Sequence, residues 1–394
     1  MGSPEPPGID SAHVERVAAL VVPLLPASLA ATFDARFTRS DRLFDEYVSR
    51  LTFEVMRETG IDAALASWAT AEEVVARAGL DARCATVPVD WMLRRMAARG
   101  AVETDHTAER RRFRARGPMV GKEPGEIRAV QEQHDPAALP SYTLAETAAR
   151  AYPGFLAGAK SGEELLLTPT RLQLWNSYFS NEHSLYTVNN RVAAVTLATW
   201  MPAGPATILE LGAGMGSAST AALDALRDQE RLTDVAAYRA TDVVPTFLRY
   251  AERRVREQAA GVKGITFGAL DMNKPLAPQG IAPGSQSIVY AVNTLHVAHD
   301  LALTLREIRD ALRPGGQLIM GECVRPHEGQ ALYPEFVFNM LATFRHGGFL
   351  TPEQWRVGLD TAGFVDVRFL PDIVRIRDVV PEFSVAGIAA TRAP

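Results

Sequence analysis

"ATILELGAGMGSAS", residues 206–219, decides how the chain is read. Six residues, aliphatic apart from Thr207 and Glu210, run into three glycines separated by single residues. This is a strand that breaks at Gly212, turns through Gly214 and Gly216, and resumes as a helix over 217–228. Glycines at that junction let the backbone approach a ligand closely and let the helix pack tightly on the sheet. Such a turn taken alone fits a dinucleotide site. Glu210, however, sits in the strand end just ahead of the glycines, where a diphosphate would feel its repulsion, and the turn has no basic residue. A cationic ligand suits this position better.

The same rhythm continues downstream. "VAAYRATD" (235–242), "GITFGALD" (264–271), "SQSIVYAV" (285–292) and "GQLIMGECV" (316–324) read as strands, with helices over 245–258 and 300–312, the latter closed by "RPGG". Helical segments over 333–344 and 352–362 precede two further strands, "FVDVRFL" (364–370) and "SVAGIAAT" (384–391). Alternating strands and helices imply an α/β domain: a mostly parallel sheet, helices on both faces, and ligands outside the carboxyl ends of the strands. Asp242, ending the second strand, is placed to accept hydrogen bonds from ribose hydroxyls. Asp271, ending the third, suits an adenine amino group, with Met272 against the ring. A helix cap explains Asp242 by itself. The ordered series, in which each acid ends its strand, points to one extended ligand.

The fourth strand runs into "VNTLHVAHD" (292–300). Asn293 reads either as a contact to ligand or as a strand-end cap. His296 reads either as a core imidazole or as a base, and His299 as a loop residue.

Residues 1–118 are mainly helical. "DRLFDEYVSRLTFEVMRETG" (41–60) repeats its apolar residues at a helical period and stops at Gly60. Thr70 and Glu73 make a capping box ahead of a short helix ending near Gly79. A second short helix over 87–103 and a strand in "RRRFRARG" (110–117) complete the outline of a winged helix. Residues 119–195 read as a polar, proline-bearing linker to about 140 and then an aromatic segment. In the latter, Tyr178, Phe179 and Tyr186 are candidates for a lid or substrate wall. Residues 196–394 form the ligand-binding domain.

Composition narrows the class. At 394 residues the chain is long enough for two domains, and 47% hydrophobic with 22% charged residues is the balance of a globular protein. A net charge of −5 gives no general attraction to nucleic acid or anionic membrane. No apolar run approaches the ~20 residues of a membrane span; "VAALVVPLLPASLAA" (17–31) is cut by Pro23 and Pro26. Cys84 and Cys323 form neither a disulfide framework nor a metal-ligand pattern, which fits a reducing, cytoplasmic setting and no bound metal.

"ILELGAGMGSAS", "ATDVVPTFLRYAERR", "ALDMNKP", "VNTLH", "LREIRDALRPGGQLIMGE" and "GFLTPEQWRVGLDTAGF", spread in order over roughly 200–370, resemble a class I S-adenosylmethionine-dependent methyltransferase. The sequence is most similar to the C-methyltransferase domains of polyketide synthases and their stand-alone relatives. The resemblance implies a Rossmann-like seven-stranded sheet whose last strand is antiparallel. It also implies S-adenosylmethionine as cofactor, held by Glu210, Gly212, Gly214, Gly216, Asp242, Asp271, Met272 and Asn293. In that family the histidine of N-x-L-H and the glutamate ending the fifth strand form a catalytic dyad, which falls here on His296 and Glu322. The N-terminal region resembles the winged-helix dimerisation domain of small-molecule O-methyltransferases, which implies a homodimer.

Those O-methyltransferases also place a histidine after the fourth strand and an acid after the fifth, so the two halves of the chain point to different relatives. C-methylation of a small, polyketide-like or keto-acid intermediate, free or bound to a carrier protein, is the expectation; O-methylation of a phenolic or enolic hydroxyl is the alternative. A non-catalytic regulator or scaffold that only binds ligand is the alternative from another class.

Overall fold

In the computed structural model, residues 11–105, 110–116, 123–259, 262 and 264–394 are described. They group into two compact units, neither continuous in sequence: one holds residues up to 17, 35–178 and 328–345, the other 18–34, 179–327 and 346–394.

The second unit is built on the expected sheet. Its strands, numbered after the two of the small N-terminal sheet, are β3 (Ala206–Leu211), β4 (Val235–Asp242), β5 (Ile265–Ala269), β6 (Gln286–Val292), β7 (Leu312–Cys323), β8 (Phe364–Leu370) and β9 (Val385–Arg392). They lie in the order β5-β4-β3-β6-β7-β9-β8. The first five are parallel, and β9 runs antiparallel to both of its neighbours. The order reverses between β3 and β6, so their carboxyl ends open at the switch point where sheets of this kind bind ligands. β3 and β6 are buried almost throughout, which is why they read as aliphatic runs without alternation. β7 begins earlier than its sequence reading: Leu312 already pairs with Gln286, and a register shift before the Ile288–Gln317 pair lets the Arg313–Gly316 stretch bulge from the ladder.

Two strand glycines set how closely the helix Thr187–Trp200 lies on this sheet. Gly321 on β7 and Gly387 on β9 are register partners. A Cβ added at Gly321 would stand 2.5 Å from the Cβ of Ala193, and one at Gly387 1.8 Å from Oγ1 of Thr196. The helix backbone therefore rests on glycines.

The other unit starts with the helix Ala35–Glu58. The Thr70 capping box is present in full, with Glu73 N–H donating to Thr70 Oγ1 and Thr70 N–H to the Glu73 carboxylate. It opens the helix Ala71–Arg77, and Ala82–Ala98 follows. β1 (Val102–Asp105) and β2 (Arg112–Ala115) then pair antiparallel. The arginines of β2 are engaged within the chain: Arg112 donates to the Trp68 carbonyl, while Arg114 pairs with Glu103 and lies over the Trp68 ring.

The described part of the segment read as a linker is helical. Pro124–His134 is a helix with its own capping box, Glu123 to Glu126. It holds on through a buried polar residue, Gln131, which donates to Ser40 Oγ at 3.0 Å and accepts from Tyr142 Oη at 3.2 Å. Hydropathy patterning is blind to a helix anchored by an amide. Also unforeseen is the place of residues 328–345, which sit in sequence between β7 and β8. Trp91 Nε1 and Arg94 of the helix Ala82–Ala98 donate to the carbonyls of Leu332 and Gly329. Tyr333 Oη donates to Asp41 at 2.8 Å, and Tyr152 Oη to the Phe336 carbonyl at 2.5 Å. Among the described residues no helix is long and apolar enough to cross a membrane.

Replacing Gly387 or Gly321 by alanine is expected to destabilise the protein by roughly 1–3 kcal/mol, the usual cost of overpacking. Gly154, a helix position where an added Cβ meets nothing within 4 Å, should instead gain about 0.5–1 kcal/mol on becoming alanine. Denaturant unfolding of the three variants checks both directions.

Candidate active site

The three glycines of the turn all adopt left-handed backbone, with φ of 68°, 53° and 84° at 212, 214 and 216. They serve different ends. A Cβ on Gly212 would lie 2.5 Å from the side chain of Thr294, and one on Gly216 would lie 2.9 Å from Cα of Ala251. Those two are glycine because protein packs against them. At Gly214 the nearest atom would be 4.0 Å away, so this residue alone faces open space. The turn is a cradle one side chain deep, lined by backbone and acids, which fits a nucleoside cofactor carrying positive charge.

Asp242 braces the cradle. Its Oδ2 accepts from the Gly214 N–H at 2.9 Å and its Oδ1 from the Val244 N–H at 2.7 Å. Burial raises its pKa, and those two N–H groups act the other way. Behind the turn, Asn181 donates to the Ser217 carbonyl at 2.8 Å, and Arg254 reaches the Met215 carbonyl and Ser217 Oγ. Glu210 is turned inward rather than toward the turn's surface. It is 1% exposed, and its Oε2 accepts from Ser219 Oγ and from Tyr238 Oη at 2.9 Å. Burial pushes its pKa up to about 7.

Asp271 and Met272 follow β5 at the sheet's edge. Asp271 is partly exposed; burial raises its pKa, but Asn273 N–H at 3.0 Å and Lys274 at 3.1 Å outweigh that and hold it below the usual carboxylate range. The Met272 carbonyl accepts from Thr304 Oγ1. Asn293, with φ of 49°, clasps the ends of β6 and β7: its N–H donates to Gly321 O at 2.8 Å and its Oδ1 accepts from Cys323 N–H at 3.0 Å.

His296 and Glu322 meet directly. His296 sits in the single turn Leu295–Val297 after β6, and Glu322 lies near the end of β7. His296 Nδ1 is 2.6 Å from Glu322 Oε2, with the histidine 6% exposed and the glutamate fully buried. Glu322 Oε1 accepts from the N–H groups of Thr294 and Leu295 at 3.3 and 3.1 Å. One carboxylate thus fixes both the imidazole and the backbone that carries it. A carboxylate on Nδ1 selects the tautomer with the proton there and the lone pair on Nε2. The Phe349 ring packs 5.0 Å from the imidazole, and a Cβ on Gly347 would lie 2.0 Å from the His296 carbonyl. His299 is exposed, its N–H on Asn273.

The three aromatics are divided between the units. Phe179 and Tyr186 belong with the dyad, ring to ring at 5.2 Å, and Tyr186 hydrogen-bonds Asn293 through its hydroxyl. Tyr178 belongs to the other unit, with Trp175 at 6.0 Å and Phe338 at 6.3 Å. Sequence reasoning missed Thr294, Ser219, Tyr238, Arg254 and Phe349. Thr294, inside "VNTLH", was readable as the residue opposite the glycines; the others carry no local pattern.

Residues 209–318 match the family model described as "Methyltransferase domain". It is 34% identical over 152 residues to highly reducing polyketide synthase 2 of Gibberella zeae, a match covering 38% of this chain and 6% of the synthase. The fold is similar to a crystal structure of the CurJ carbon methyltransferase, with a TM-score of 0.74 at 18% identity over 98% of this chain and 100% of that one. It is also similar to the trans-methyltransferase CalH in complex with SAH, with a TM-score of 0.60 at 19% identity over 89% and 91%. These two structures share the fold of this chain.

Glu322→Ala would strip three buried donors of their acceptor, at about 1–3 kcal/mol each. We expect it to lower unfolding free energy by several kcal/mol, and Glu322→Gln, which keeps one acceptor oxygen, by clearly less. Chemical denaturation distinguishes the two.

Proposed function

We propose that this methyltransferase-domain chain moves a methyl group from S-adenosylmethionine to a carbon of a small natural-product intermediate with an acidic C–H. The observation that carries the reading is the 2.6 Å His296 Nδ1–Glu322 Oε2 pair at the carboxyl ends of neighbouring parallel strands, beside the glycine turn. Gly212, Gly214 and Gly216 would hold the cofactor by backbone, with Asp242, Asp271, Met272 and Asn293 along it and Glu210 beneath. When bound, S-adenosylmethionine supplies a methyl group made electrophilic by its sulfonium.

The chain's own residues prepare the acceptor. Nε2 of His296 takes the proton from the acceptor's C–H as carbon becomes the nucleophile. Glu322 keeps the proton on Nδ1 and steadies the imidazolium that forms. Such a base contributes about 10²–10⁴-fold, and alignment of acceptor with cofactor supplies much of the rest. Burial of the pair and the ring of Phe349 keep water from the lone pair. Tyr186 and Phe179 are the proposed substrate contacts on this unit.

Carbon is preferred to oxygen because polyketide synthases and a carbon methyltransferase recur among the chain's relatives, an argument from company rather than from geometry. O-methylation would use the same dyad. Delivery on a carrier protein and homodimerisation through residues 1–118 complete the proposal; a monomer by light scattering at working concentration would refute the dimer.

The deciding experiment incubates the protein with methyl-deuterated S-adenosylmethionine and β-keto, α-keto, phenolic and amine acceptors, and locates the label by fragmentation in a mass spectrometer. A label on carbon is expected. A label on oxygen overturns the carbon reading, and cofactor binding without any product would favour a ligand-binding scaffold. His296→Ala should cut turnover by about 10²–10⁴-fold and leave cofactor affinity unchanged. Gly214→Val should do the reverse, since it fills the cradle and strains a left-handed position by about 1–2 kcal/mol.

A further inference from the structure

Glu210 is the buried acid that takes no part in the proton transfer just described, and its surroundings are unusual for a carboxylate. Every group that meets it is neutral or negative. Ser219, from the helix Ser217–Asp228, and Tyr238, from β4, both donate to the same oxygen, Oε2. β6 sets Tyr290 beside Glu210 in parallel register, and the Tyr290 hydroxyl is buried without a hydrogen-bond partner among the described residues. The other groups that act on it electrostatically are the acid Asp242 at the end of β4 and the hydroxyl of Tyr186. No cation among the described residues offsets the charge.

Burial among neighbours that are neutral or negative raises its pKa to about 7. The balance is close. Two hydroxyls already favour the ionised form. Glu210 lies two residues before Gly212, so a positive charge arriving on the cradle is the missing counter-ion.

We propose that Glu210 releases its proton when the sulfonium cofactor binds, and that this exchange makes the site favour the charged cofactor over its uncharged thioether product increasingly as pH rises. Glu210 is then a specificity-determining residue: neutral, it cannot tell a sulfonium from a thioether; ionised, it can. The inference rests on the cofactor reading above.

The sign follows from linkage. A group that is protonated in the free protein and ionised in the complex makes binding tighter as pH rises through its free-protein pKa, and the gain stops above it. With that pKa near 7, the cofactor-to-product affinity ratio should rise about tenfold between about pH 6 and 8, and binding at about pH 7 should release about half a proton.

Isothermal titration calorimetry of the whole protein at pH 7, in two buffers of different ionisation enthalpy, counts protons released by S-adenosylmethionine and, separately, by S-adenosylhomocysteine. Release with the first and none with the second is expected, and Glu210→Gln should abolish it. The ligands' own amino groups titrate alike in wild type and Glu210→Gln, so they cancel in that comparison. Tyr238→Phe, a one-atom change that removes a hydrogen bond lowering the Glu210 pKa and spares the fold should Glu210→Gln not, is expected to move the window to higher pH and raise the release at pH 7 above half a proton. Equal release with both ligands, none with either, or release that survives Glu210→Gln overturns the inference while leaving the cofactor reading intact. Failure of both ligands to bind would instead remove the cofactor reading and the inference with it.

Discussion

A single buried carboxylate holds the ends of two neighbouring strands together. Glu322, near the end of β7, accepts the N–H groups of Thr294 and Leu295 with one oxygen and His296 Nδ1 with the other. The turn after β6 has no regular secondary structure long enough to stabilise itself, so it takes its shape from these bonds. Asn293 works in the opposite sense, from β6 toward β7: in left-handed backbone, its side chain receives the Cys323 N–H. The two crossings form a clasp, and the imidazole hangs from it. Its orientation therefore depends on the sheet, the most rigid part of this unit, rather than on a loop.

The glycine turn obeys the same economy. Thr294, carried on the clasp, fills the space where a Gly212 side chain would be, and its N–H is one of the two backbone donors to Glu322. Position of the base and shape of the cradle are thus coupled through one residue. Ala251, on the helix Pro245–Gln258, plays the matching part at Gly216. Of the three glycines only Gly214 faces open space. A repeated glycine pattern, which looks like one motif in sequence, divides into two packing requirements and one open position.

Much of this was legible in the chain itself. Strand–helix alternation gave the sheet, and helix bounds at 217–228 and 245–258 agree with the structure. Three things were not legible, each for a physical reason. The helix Pro124–His134 is anchored by Gln131, and amide anchors leave no hydropathy period. Residues 328–345 join the other unit through side chains that donate to carbonyls, and a carbonyl acceptor imposes no residue type on its own position. Glu210 looked in sequence like an anion offered to a ligand; its carboxylate instead turns under the turn onto Ser219 and Tyr238, a choice made by the helix after the turn and by the neighbouring strand.

Buried acids on neighbouring strand ends show how partner type, more than burial, sets what a carboxylate does. Glu322 meets two backbone N–H groups and the His296 imidazole, a set that makes it an anchor for that ring. Asp242 receives two backbone N–H groups, one on each oxygen, and serves as a brace. Glu210 receives only hydroxyls, both on one oxygen. A hydroxyl is both donor and acceptor, so it satisfies a carboxyl group in either protonation state, whereas an N–H satisfies only the acceptor. Replacing N–H donors by hydroxyls thus turns an anchor into a group free to change its charge, and this chain has placed that group directly beneath the turn where charge is expected to arrive.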